Sequence, residues 1–104
     1  MLLSTTDVIY DRKIIKQIGL VRGNTIRARH IGRDIMAGLR NIVGGEVEEY
    51  TKLMAESREQ AIDRMIEEAQ KLGANAIVGI RFSTTEVMGR AAEILVYGTA
   101  VVIE

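Results

Sequence analysis

The run at residues 91–103, AAEILVYGTAVVI, constrains this chain most. Ala92, Ile94, Val96, Ala100 and Val102 fall on one parity, and Leu95, Tyr97, Val101 and Ile103 fall on the other. Side chains of a strand alternate between its two faces, so this strand is apolar on both and needs cover on both. A chain of 104 residues has little material for two layers of cover. Helices over a small antiparallel sheet supply one layer, and association with other subunits supplies the other.

Two further segments predict strands. Residues 74–82 keep period two, with Ala76, Val78, Ile80 and Phe82 on one face and Ile77, Gly79 and Arg81 on the other. Residues 14–26 are dense in β-branched residues and poor in helix formers, which predicts an extended strand bent near its glycines. There Ile14, Ile18 and Leu20 share one parity and Ile15 and Val21 the other. Tyr10-Asp11-Arg12-Lys13 predicts a polar turn ahead of it, with a short strand at Val8 and Ile9 before that.

Between these strands the period becomes helical. Ile31, Ile35, Leu39 and Ile42, with Met36 and Val43 alongside, recur at three- and four-residue intervals and predict a first helix. A second is predicted at about 46–72, where Val47, Tyr50, Met54, Ala61, Met65, Ala69 and Leu72 trace one stripe widened by Leu53, Ile62 and Ile66. Lys52 with Glu56, Arg64 with Glu68, and Glu67 with Lys71 are expected to pair at i,i+4 on its solvent side. Gly44 stands where a left-handed residue ends the first helix, Glu46, Glu48 and Glu49 suit the positive end of the second, and Gly73 ends it.

Composition then narrows the function classes. Fourteen basic and fourteen acidic residues give zero formal net charge, so there is no global electrostatic footprint for nucleic acid or an acidic membrane. The absence of cysteine excludes disulfides, thiolate zinc sites and a cysteine nucleophile together. Without proline, linker or repeat, nothing divides the chain, and one domain over 1–104 is expected. Met1-Leu2-Leu3 is too short an apolar run for a signal peptide, and no stretch approaches the ~20 residues of a membrane span, so a cytoplasmic location is expected.

Gly44-Gly45, Gly73-Ala74-Asn75-Ala76 after a helix ending in Lys71-Leu72, and Gly98-Thr99-Ala100-Val101 together resemble the YbjQ-like family, whose label is heavy-metal binding. The likeness runs over essentially the whole chain. It implies an α+β fold: a small two-layer subunit with an antiparallel β-sheet and two helices between amino- and carboxy-terminal strands, YbjQ-like or dodecin-subunit-like, and ring-forming. It implies a pentamer and says little about activity. Gly44, Gly45, Gly73, Asn75 and Gly98 read as structural positions. At Glu46-Val47-Glu48-Glu49 the chain departs from the family form, in which a basic residue and then small polar ones follow the second glycine.

Candidate ligand residues are few. Arg27, Arg29, His30 and Arg33 form the densest basic patch, suited to a phosphate or carboxylate or to pairing with Glu46, Glu48 and Glu49. The patch has no interleaved aromatics, which argues against specific nucleic-acid recognition. A backbone nest at Gly44-Gly45 is opposed by those same glutamates, which would repel an anion. Tyr50 and Tyr97 offer hydroxyls to a cleft or, as buried tyrosines commonly do, serve packing with one hydrogen bond, and Tyr50 joins the ligand candidates. His30, with Asp34 one turn on, is a poor metal site within one subunit, although ring symmetry would repeat it around the axis. Glu56, Glu59, Asp63 and Glu67 read as a solvated helix face, and no nucleophile, base and orienter are seen together, so no catalytic residue, metal ligand or cofactor is assigned.

The expected function is therefore a noncatalytic homo-oligomeric scaffold or a module for a small ligand, anion or metal at a subunit interface. The alternatives are a structural or protein-interaction ring and an enzyme with an interfacial active site. No nucleic acid and no membrane is expected as partner.

Overall fold

The computed structural model describes residues 1–26, 47–87 and 90–104, and of residues 26, 47–50, 87 and 90–92 the backbone alone. The elements are β1 (Leu2–Leu3), β2 (Ile14–Ile26), α1 (Val47–Lys71), β3 (Ala76–Val87) and β4 (Arg90–Ile103). The helix predicted at 31–43 lies outside the described residues. The four strands make one sheet in the order β1-β3-β4-β2. It is mixed rather than purely antiparallel: β1 runs parallel to β3, while β4 is antiparallel to both β3 and β2. The short first strand lies at Leu2–Leu3 and not at Val8 and Ile9, because Leu2 and Leu3 sit beside Ala76 and Ile77. The predicted turn is present, with Asp11 at φ 64° and the amide of Arg12 donating to the carbonyl of Ile9.

α1 packs on one face of the sheet, chiefly over β2 and β4. Ala61, Met65 and Ala69 are fully buried against Val21, Ile77, Ile80, Ile94, Val96 and Ala100. Met54, Ile62 and Ile66 border that core as the stripe requires, but Leu72 lies beyond the helix end and is half exposed. Ser57 is buried on the same side, a polar residue that fills the step between Met54 and Ala61. Gly23 lets the helix come this close: a Cβ built there would lie 2.0 Å from the carbonyl oxygen of Ala61 and 2.5 Å from the amide of Met65.

Strict alternation fails on β3, and the reason is a bulge. Val78 pairs with Thr99 and Arg81 with Tyr97, so three steps on β3 oppose two on β4. Ile77 and Ile80 consequently both face the helix, while Ala76 and Val78 face away with Val101 and Ile103. Gly79 supplies the left-handed residue at φ 63°. The bulge amides are not left idle, since Gly79 donates to Thr6 at 2.8 Å and Ile80 to Ser4 at 3.1 Å. β2 carries irregularities of the same kind between Ile14 and Lys16 and between Gln17 and Gly19. That is why Ile14 packs on the far face and Ile18 on the helix face despite their shared parity.

Among the described residues, cover of the far face is found at one end. Leu2, Ile9 and Ile14 pack on Ala76, Val78, Val101 and Ile103, so the chain's own amino-terminal arm supplies cover that subunit association was expected to give there. At the other end Leu20 remains 66% exposed and Tyr97 37% exposed. No helix among the described residues is long and apolar enough to cross a membrane.

Candidate functional site

The open end of the far face is a row built by register. Arg22 of β2 lies directly opposite Tyr97 of β4, and Tyr97 lies directly opposite Arg81 of β3. From Glu93 to Ile103 β4 has no inserted residue, so Tyr97 shares the side of Val101 and Ile103 and opposes that of Ile94, Val96 and Ala100. Arg81 is pinned: its Nη1 donates to the carbonyls of Thr5 at 2.7 Å and Ile80 at 2.8 Å. Arg22 is exposed, and among the described residues it has no hydrogen-bond or ion-pair partner. Glu93, whose side of β4 is that of Tyr97, stands two rows away and is engaged by Asn24 at 3.2 Å and Thr85 at 3.5 Å. The register thus sets two arginines on the strands either side of Tyr97, Arg22 without a partner among the described residues and Arg81 held by main-chain carbonyls. Such a row suits carboxylate or phosphate oxygens.

A second feature lies on the helix side. Where α1 leaves β3 uncovered, Leu3, Ser4, Thr5, Ile62, Met65, Ile80 and Phe82 line an open apolar groove of about 190 Å³. Phe82 is 47% exposed in it. Its lining is chiefly side-chain carbon, which suits packing better than polar recognition.

Arg27, Arg29, His30, Arg33, Gly44 and Gly45 lie outside the described residues, and Tyr50 sits in the first turns of α1 with its side chain outside them. The remaining structural candidates can be placed. Gly73 has φ 86° and donates to Gln70 at 3.0 Å, while Ala74 donates to Ala69 at 3.0 Å, the paired bonds that close a helix end. Asn75 clamps the end of β4, its amide donating to the carbonyl of Ile103 at 2.9 Å and its side-chain oxygen accepting from the Ile103 amide at 2.7 Å. Gly98 lies opposite the β3 bulge, where a Cβ would come within 2.8 Å of Ile77.

The charge pairs expected along α1 are not formed. Arg64 donates to the carbonyl of Asn24 on β2 instead of meeting Glu68. Glu56, Glu59, Asp63 and Glu67 are exposed, with no hydrogen-bond or ion-pair partner among the described residues. Among those residues, too, no group of three or more His, Cys, Asp or Glu is placed to hold a metal ion. Sequence reasoning singled out Tyr97 but missed Arg22 and Arg81 beside it. The available signal was weak: each arginine is a charged residue inside a β-rich run, and only the strand register brings them together.

The YbjQ family, described as "Putative heavy-metal-binding", matches residues 1–104. A UPF0145 protein of Dehalococcoides mccartyi is 59% identical over the full length of both chains. One from Methanococcus vannielii is 60% identical over 100% of this chain and 99% of its own. One from Pyrococcus furiosus is 57% identical, covering 100% of this chain and 91% of its own. Among solved structures, a protein of unknown function in the DUF74 family from Pediococcus pentosaceus superposes with a TM-score of 0.55 at 17% identity, over 100% of this chain and 98% of that one. That likeness bears on the fold.

Proposed function

This chain belongs to the YbjQ family, and from that premise we propose that it is a noncatalytic homo-oligomeric binding module, a ring of five copies holding a small anion or a metal ion between subunits. The observation that carries this reading is the uneven cover of the sheet. α1 lies over β2 and β4, and the amino-terminal arm lies over one end of the opposite face. Leu20 and Tyr97 are left exposed on one side of the sheet, and Phe82 and Leu3 on the other. Large apolar groups exposed on both sides of a two-layer subunit support association with further copies.

Composition decides what a metal site would require. One chain brings a single histidine, His30, and no cysteine. A metal that prefers nitrogen ligands would need imidazoles from several subunits, which rotational symmetry supplies around a ring axis. The family's description is compatible with this chain on that condition. The setting we propose is the cytoplasm.

Native mass spectrometry of gently purified protein tests the reading. An adduct of constant mass per assembly is the expected result. A bare assembly that takes up neither Zn²⁺, Cu²⁺ nor phosphate in stoichiometric amount on titration overturns the binding role.

A further inference from the structure

We propose that the row Arg22, Tyr97 and Arg81 is the surface onto which a second copy of this chain docks the outer ridge of its helix, Glu56, Glu59 and Asp63. This rests on the homo-oligomeric reading above and specifies which surfaces join. The two surfaces lie on opposite sides of the two-layer subunit. The row is on the sheet face turned away from α1, and the ridge is on the side of α1 turned away from the core residues Ala61, Met65 and Ala69.

No charge on either surface is neutralised by an opposite charge among the described residues. Arg22 has no partner among them, and Arg81 is held only by main-chain carbonyls. The ridge carboxylates have none either, and standing three and four residues apart on one helix they repel each other. Bringing the two surfaces together replaces both like-charge arrangements with opposite-charge contacts. The row also has the composition of an interface centre, arginine and tyrosine beside exposed Leu20.

Dimensions agree as well. Arg22 and Arg81 are separated by one intervening strand, which sets their Cα atoms roughly 10 Å apart. Glu56 and Asp63 are seven residues apart along a helix, a rise of roughly 10 Å. A helix laid across the strands therefore sets one carboxylate over each arginine, with Glu59 over the hydroxyl of Tyr97. Because the row and the ridge are different patches of one chain, the contact is head-to-tail, the kind that closes into a ring when the rotation allows.

The test uses the full chain in three forms. Arg22→Glu alters the sheet surface at a side chain with no internal partner, Glu56→Arg with Asp63→Arg alters the ridge at two exposed positions, and a third chain carries all three changes. Each is first shown to be folded by far-UV circular dichroism and cooperative melting. Subunit dissociation is then followed by light scattering on dilution. The two single-surface variants are expected to dissociate at concentrations at least ten-fold higher than the wild type, and the combined chain is expected to return to within about three-fold of it. Mixed at high dilution, the two single-surface variants are expected to associate with each other at concentrations where each alone stays dissociated, since the unaltered contact and the doubly reversed one can both form between them. If the wild type assembles and Arg22→Glu assembles equally well, the docking surface is wrong while the oligomer stands. If millimolar phosphate stabilises the wild type but not Arg22→Glu, and the ridge variant behaves as wild type, the row holds a free anion and the inference is overturned. A monomeric wild type removes the oligomer itself.

Discussion

Replacing Gly23 with alanine adds one methyl group at the tightest contact between sheet and helix. That methyl carbon would lie 2.0 Å from the carbonyl oxygen of Ala61, 2.5 Å from the amide nitrogen of Met65 and 3.1 Å from the carbonyl carbon of Ala61. All three obstacles are backbone, so no side chain can swing aside. The helix has to withdraw by roughly 1 Å or more, and a gap of that size forfeits a quarter to a half of the dispersion energy of the atoms it separates. Those atoms belong to Ala61 and Met65, fully buried against Val21, Ile94 and Val96. Overpacking in a core costs about 1–3 kcal/mol, and a rigid obstacle puts this case at or above the upper end. At 4–8 °C per kcal/mol for a domain of this size, a loss of about 3 kcal/mol lowers the melting temperature by about 12–24 °C. Thermal and guanidinium unfolding followed by circular dichroism read this directly. The opposing expectation is well defined, because glycine to alanine at an unobstructed site stabilises by about 0.4–1 kcal/mol through the unfolded chain. A variant as stable as the wild type, or more so, would refute the close approach of α1 to β2.

Three further outcomes are expected. Asn75→Ala removes both side-chain hydrogen bonds to Ile103 and should cost about 1–3 kcal/mol in chemical denaturation, with faster amide exchange at Ile103 than in the wild type. Gly79→Ala should cost about 1–2 kcal/mol, because φ is 63° while the nearest atom to an added Cβ is Asp7 Oδ1 at 3.4 Å, leaving conformation rather than crowding as the cause; Gly79→Asn should lose less. Any saturable rise in melting temperature on adding Zn²⁺ or Cu²⁺ should disappear in His30→Ala, since His30 is the sole imidazole of a chain without cysteine; a rise that persists in that variant places the metal elsewhere.

Particular residues show how far the sequence could be read. β2 occupies 14–26 as its pattern predicted, and α1 occupies 47–71 where about 46–72 was predicted, because a dense β-branched run and a four-residue apolar repeat are each local signals. Facing was harder to read. Ile80 turns to the helix with Ile77 because the Gly79 bulge inserts a residue, and a parity rule has no place for an insertion. The parallel pairing of Leu2 with Ala76 joins positions far apart in sequence through a strand of two residues, too short to carry a pattern. Arg64 was expected to meet Glu68 one turn on, but a main-chain carbonyl on β2 lies within its reach, and only the packed fold makes that acceptor available. The far-face row has the same character. Arg22 and Arg81 become neighbours of Tyr97 through the registers of two separate ladders, both shifted by bulges, so no spacing in the sequence encodes the meeting. Gly73 and Asn75 were recognised by their place after a helix, yet the hydrogen bonds from Asn75 to Ile103 depend on where β4 ends.

Everything functional in this account depends on copies of the chain associating, and size-exclusion chromatography with in-line light scattering measures that directly. At micromolar concentration and physiological salt the expected result is a single species of about five times the 11.5 kDa subunit mass. A monodisperse monomer under the same conditions would contradict it, because Leu20, Tyr97 and Phe82 would then stay in water with no further copy to cover them.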